Sequence, residues 1–140
     1  MRQILLFAAL AASLALLSGC ALSKAKEDKA EDMPDNAAYH KISAEEAYEM
    51  MASQEVVVVD VRTREEYDGG HIENAVLVPN ERIGSEMPEA LPDKEATLLV
   101  YCRSGRRSKD AAQKLLALGY QSVYDFGGVI DWPYELVKEG

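Results

Sequence analysis

The residues best equipped for chemistry are Tyr101-Cys102-Arg103-Ser104-Gly105-Arg106-Arg107-Ser108. A cysteine stands at the end of an apolar run, and a short polar loop leads from it toward a helix. Successive backbone N–H groups in such a loop turn inward as an anion nest, reinforced by the N-terminus of the following helix. Gly105 permits a positive φ in that loop. Arg103, Arg106 and Arg107 put three cations into five positions. This environment favours the thiolate, the nucleophilic form of cysteine. The plainer reading of Cys102 is a buried structural thiol, and the arginines weigh against it. Taken singly, each arginine would also suit a solvated helix face.

The flanking sequence predicts the elements that must hold this loop. Tyr39 to Ile42 is a short strand candidate. Ser43 and Glu46 form a capping box, and Ala47, Met50 and Met51 give the following helix an apolar face that ends near Ser53. Val56-Val57-Val58-Val59 shows no polar alternation, as in a parallel strand covered on both faces. Thr63 and Glu66 form a second capping box, opening a short helix that Gly69-Gly70 terminates. Ala75 to Val78 is a strand stopped by Pro79. Ile83 to Pro92 reads as loop with one helical turn. Thr97 to Tyr101 is the next buried strand, and Ala111, Ala112, Leu115, Leu116 and Leu118 line a helix closed by Gly119. Ser122 to Asp125 is the last strand, and Val129 to Lys138 a last helix around Trp132 and Pro133, with Trp132 in the core. This alternation predicts an open α/β sheet with helices on both faces. Ligands of such sheets bind beyond the carboxyl ends of the strands, where Cys102 falls.

The chain has 140 residues, a net charge of −9, 48% apolar and 28% charged residues. That length suits one domain plus a targeting segment. The acidity argues against a nucleic-acid surface, which needs a basic stripe, and against adhesion to anionic lipid. Residues 4–17 carry no charge. They are shorter than the ~20 residues of a membrane-spanning helix and suit a signal-peptide core. Leu17-Ser18-Gly19-Cys20 resembles the bacterial lipobox. The resemblance implies removal of residues 1–19, lipidation of Cys20 and an extracytoplasmic protein anchored to a bacterial membrane. Acyl chains anchor at ~0.8 kcal/mol per buried methylene. A plain secretory signal is the alternative. Residues 20–37 then form a lipidated Cys and a polar tether, holding residues 38–140 roughly 20–25 Å from the bilayer.

The Cys102 loop resembles the active-site loop of single-domain rhodaneses. Asp60-Val61-Arg62, Glu66-Tyr67, Gly70-His71-Ile72 and Ala75 resemble that family's upstream signature, with Asn74 where glycine is frequent. Gly127-Gly128 before Trp132 resembles its closing Gly-Gly-x-x-x-Trp. The resemblance implies a rhodanese-like, mainly parallel α/β sheet and a sulfurtransferase. Cys102 attacks thiosulfate or another sulfane-sulfur donor, becomes a persulfide, and passes sulfur to cyanide or a thiol acceptor. Arg103 and Arg106 are the candidates for donor binding. Arg107 is assigned an ion pair that buttresses the loop, with Asp60 or Glu66, within a substrate-binding set of residues 103–108. Ser104 and Ser108 donate to the cradle or cap the helix. Asp60, Arg62 and His71 read as structural support.

Two rival functions remain open. A cysteine-dependent phosphatase would show Cys-x5-Arg, but Ser108 occupies the sixth position and Arg107 arrives one residue early; arsenate or selenium chemistry would use a similar thiolate loop. The other rival is a module that carries sulfur or binds a partner without turnover. No cluster has metal-ligand spacing, no cofactor is expected, and nothing in the sequence forces an oligomer on what reads as a monomer.

Overall fold

The computed structural model describes residues 39–139. The expected signal peptide, Cys20 and the tether lie outside them. Five strands are present among the described residues: β1 (Tyr39–Lys41), β2 (Val57–Asp60), β3 (Val76–Leu77), β4 (Thr97–Cys102) and β5 (Ser122–Gly128). They form one parallel sheet in the order β1-β5-β4-β2-β3. Three α-helices connect them, α1 (Ala44–Ser53), α2 (Arg64–Asp68) and α3 (Arg106–Ala117).

Side chains alternate across a strand, and β4 shows why its sequence is apolar throughout. Leu98, Val100 and Cys102 face Ala111, Ala112 and Leu115 of α3. Leu99 and Tyr101 point to the opposite face, with Ala47 of α1 and Tyr67 of α2. Both faces of the sheet are covered, as in the α/β architecture the sequence predicts.

Local chemistry fixes the helix ends. Both capping boxes form: Glu46 N–H donates to Ser43 Oγ at 3.1 Å and Ser43 N–H to Glu46 Oε2 at 2.7 Å. At α2 the reciprocal bonds join Thr63 and Glu66 at 3.0 and 3.3 Å. Gly119, at φ +96°, closes α3 with Tyr120 N–H on Leu115 O and Gly119 N–H on Leu116 O. This doubly bonded turn requires the left-handed conformation glycine adopts freely. Asn74 also has positive φ, +62°, which asparagine tolerates better than most residues.

Three expectations need correction. The helix over Val129–Lys138 is only a 3-10 turn, Val129–Asp131. Pro133 disfavours the helical region for the residue before it, and Trp132 is extended at φ −78°, ψ 112°. The chain beyond runs back to bridge Val137 with His71, through N–H···O bonds of 2.9 and 2.8 Å. The helical turn expected within 83–92 falls earlier, at Asn80–Arg82. Finally, β5 continues past Asp125 to Gly128 with a register shift: Val100 pairs with Asp125 but Cys102 with Gly128. One extra residue on β5 makes a bulge, which re-aims the strand end.

Candidate active site

Cys102 ends β4, 1% exposed, on the α3 side of the sheet. The chain then turns through Arg103, Ser104 and Gly105, and Gly105 at φ +103° opens α3. That turn aims Gly105 N–H at Cys102 Sγ, 3.0 Å away. The amides of Ser108 and Ser104 and the Ser108 hydroxyl also lie toward the sulfur. Burial pushes the thiol up, but these hydrogen bonds, led by the Ser108 amide, outweigh it and hold the thiol below its ordinary value. Donors converging on a sulfur stabilise its anion and equally an anionic ligand in its place.

Packing from β5 holds the loop against the sheet. A Cβ at Gly128 would run into Arg103 O and come within 2.6 Å of Ser104 Cα, so only glycine lets the loop lie so close. Ile130 N–H donates to Arg103 O at 3.2 Å. Ser108 is fully buried, and its Oγ lies 2.7 Å from Asp125 Oδ1 and 3.0 Å from Gly105 O.

The three loop arginines differ in surroundings. Arg103 and Arg106 are exposed at the rim. Arg107 makes a bidentate pair with Glu66, both N···O distances 2.8 Å. Of the two partners the sequence left open, the structure has Glu66; Asp60 is taken by Arg62. The Arg107 guanidinium holds the Glu66 carboxyl down to about 2. That pair is the loop buttress expected of Arg107, and its charge still acts on Cys102. Ser104 is exposed, and neither serine caps α3, whose N-cap is Gly105 without a side-chain bond.

Asp60 and Arg62 form a buried bidentate pair that includes a 2.6 Å contact. Asp60 also accepts from Tyr101 Oη at 2.6 Å, Tyr101 Oη accepts from Ile72 N–H at 3.1 Å, and Arg62 donates to Gly70 O at 2.8 Å. Burial and then Asp60 push the Tyr101 hydroxyl far up. The network ties the ends of β2 and β4 to the turn before β3. His71 is buried, its ring stacked on Tyr67 at 3.6 Å, with Nδ1 2.9 Å from Tyr67 O. Because a carbonyl only accepts, that nitrogen carries the proton. None of these bonds reaches the Cys102 loop.

Sequence reasoning missed Asp125. It is 1% exposed and gathers Ser108 Oγ, Gly127 N–H at 2.9 Å, Tyr39 Oη at 3.2 Å and Lys41 Nζ at 3.4 Å. Its signal was an acid at the carboxyl end of a buried strand, just before Phe126-Gly127-Gly128.

Comparison with known proteins agrees with this geometry. The chain is 31% identical over 106 residues to the tRNA uridine(34) hydroxylase of Yersinia pestis, covering 72% of this chain and 30% of that protein. The chain thus spans about a third of the curated relatives it matches. A rhodanese with anions from E. coli superposes with TM-score 0.56 and 34% identity, over 61% of this chain and all of the other. The human single-domain sulfurtransferase TSTD1 gives 0.59 and 27%, over 66% of this chain and 93% of the other. The rhodanese-like domain family matches residues 43–133, which run from the N-cap of α1 past the Cys102 loop to Pro133. The chain belongs to the rhodanese-like domain family.

Proposed function

We propose that this domain is a sulfurtransferase working through a Cys102 persulfide, with thiosulfate as a competent donor. The Cys102 thiolate attacks the outer sulfur of thiosulfate, the S–S bond breaks, and sulfite leaves with the bonding pair. The outer sulfur stays on Cys102 as an anionic persulfide. Cyanide or a thiolate then attacks that sulfur, and Cys102 leaves as the thiolate it was. The observation that carries this reading is the convergence of loop amides on Cys102 Sγ, with Gly105 N–H at 3.0 Å. Donors so placed stabilise both the attacking thiolate and the persulfide sulfur. Arg103 and Arg106 at the rim suit a dianionic donor. Phosphatase chemistry is disfavoured, because Arg107 is engaged with Glu66 and Ser108 stands where that chemistry uses arginine.

The N-terminal sequence supports attachment of this activity outside the cytoplasm through a lipid on Cys20, with residues 20–37 as the tether. The test is thiocyanate formation from thiosulfate and cyanide by the full chain, with an aryl phosphate as counter-substrate. Turnover abolished by Cys102→Ser and left intact by Cys20→Ser supports the reading. Turnover surviving Cys102→Ser, or phosphate release in place of thiocyanate, refutes it. Fatty-acid labelling that persists in Cys20→Ser refutes the anchor.

A further inference from the structure

Between α1 and the extended chain after Asp131 lies a groove of about 750 Å³ to which no residue of the Cys102 loop contributes. Tyr48 and Met51 line it from α1, Glu73 from the turn before β3, and Trp132, Tyr134 and Glu135 from the C-terminal segment. The three rings form one array. Tyr48 stacks on Tyr134 with centroids 3.8 Å apart, and Trp132 meets the two tyrosines edge-on at 6.1 and 4.9 Å. Core packing does not account for the array, because Tyr48 is 46% exposed and Tyr134 36%. Tyrosine rings left this open beside a tryptophan have the composition of a contact surface. The bridge between Val137 and His71 pins the C-terminal wall, so the array stands ready before any partner arrives.

The charge around the rings has one sign. Glu73 and Glu135 are exposed, and neither pairs with a cation among the described residues. No lysine or arginine lines the groove, and α1 adds Glu45, Glu46 and Glu49 with no cation of its own. Aromatic faces carry negative potential, so rings and carboxylates attract the same kind of occupant. Trp132 adds a separate feature. Its Nε1 is the one buried side-chain polar atom among the described residues that lacks a hydrogen-bond partner. A free organic cation meets the charge and leaves that donor unpaired. A peptide brings cations on apolar stems together with backbone carbonyls, which are acceptors.

We propose that this groove is a docking site for an extended basic segment of a partner protein, whose arginine or lysine side chains lie against the Tyr48, Trp132 and Tyr134 rings and pair with Glu73 and Glu135. Arginine suits it better than lysine, because a planar guanidinium both stacks on a ring and forks onto a carboxylate. The site is independent of the persulfide chemistry, and its test needs no sulfur donor.

The experiment follows the emission of Trp132, the only tryptophan in the chain, as acetyl-Leu-Arg-Leu-Arg-amide is added to the full chain at low salt. Calorimetry with the same peptide guards against a silent probe. Saturable binding is expected, weakening as ionic strength rises. The dissociation constant should rise about two- to threefold in Glu73→Gln and in Glu135→Gln, and about tenfold in Tyr134→Ala. Acetyl-Leu-Glu-Leu-Glu-amide should not bind. Neither emission change nor heat with the basic peptide overturns the site. Equal binding of the acidic peptide, or unchanged constants in the variants, overturns its basis in charge and rings. Tetramethylammonium binding as tightly as the peptide overturns the assignment to a protein segment. If Tyr134→Ala fails to fold, the two glutamine variants decide alone, since they alter exposed side chains without ion-pair partners among the described residues.

Discussion

Glu66→Gln isolates the charge in the pair that fixes the first turn of α3. Glutamine keeps the length and the oxygen that close the capping box on Thr63, and loses the ionic component of the contact with Arg107. The structure sets the scale. Arg107 holds the Glu66 carboxyl at about 2 against an ordinary 4.5, a ceiling of ~3 kcal/mol if solvent did not intervene. The two side chains are 24% and 29% exposed, and screening at that exposure reduces the contribution to about 1–2 kcal/mol. Urea unfolding at pH 7 should show that loss, with the melting temperature falling by roughly 5–10 °C. The sign of the pH dependence follows from a carboxyl lowered on folding. Its stabilisation is complete above 4.5 and is lost as pH falls through about 2, so the gap between wild type and variant closes across that interval. Equal stability at pH 7, or a gap undiminished at pH 2, would refute the assigned role. A lower KM for thiosulfate in Glu66→Gln would count Arg107 among the donor-binding residues.

Gly128→Ala forces a methyl group against Arg103 O and Ser104 Cα. Sulfur transfer should fall by about 100-fold, as for a displacement of about an ångström in a reacting group, while far-UV circular dichroism is retained. Arg103→Ala and Arg106→Ala remove exposed cations with no role in the core. Each should raise KM for thiosulfate about three- to tenfold at low salt, an increase that shrinks as ionic strength rises, with the unfolding midpoint unmoved. An unchanged KM would place donor recognition on the loop amides alone. Tyr101→Phe deletes the donor to Asp60 and the acceptor of Ile72 N–H. Leaving that amide buried and unpaired should cost about 2–3 kcal/mol in urea unfolding, and a loss under ~0.5 kcal/mol would show that the turn relaxes to find another partner.

What was legible in the sequence was what short-range chemistry decides. Ser43 with Glu46 and Thr63 with Glu66 are complete instructions for a helix start, and both boxes formed. The β-branched run of β2 and the apolar run of β4 announced strands buried on both faces. The cysteine loop was readable because its nest depends on consecutive backbone groups. What escaped depended on partners far along the chain. Arg107 has two acids at plausible upstream positions, and only the fold gives Asp60 to Arg62 and Glu66 to Arg107. Asp125 looked like an ordinary end to a short strand; its importance comes from a bulge and from Ser108, 17 residues away. The segment after Asp131 carries helix-like apolar spacing, but Pro133 and the bridge from Val137 to His71 impose an extended path.

The start of α3 is a poor helix start by any intrinsic standard. Its N-cap is a glycine with no side-chain oxygen to offer, no acid lies in its first turn, and Arg106 and Arg107 stand there instead, against the helix dipole. A side-chain cap is typically worth ~1 kcal/mol. In this helix part of that role falls to Cys102 Sγ, which accepts from Gly105 N–H at 3.0 Å, so on the proposed cycle the capping atom is the reacting sulfur itself. On the proposed persulfide cycle, sulfur loading and conformational stability are thereby thermodynamically linked. The persulfide form should resist proteolysis and heat better than the thiol form, and discharge to an acceptor should loosen the first turn of α3. On that reading the start of α3 and the chemistry at Cys102 share one set of amides, and neither can change without the other.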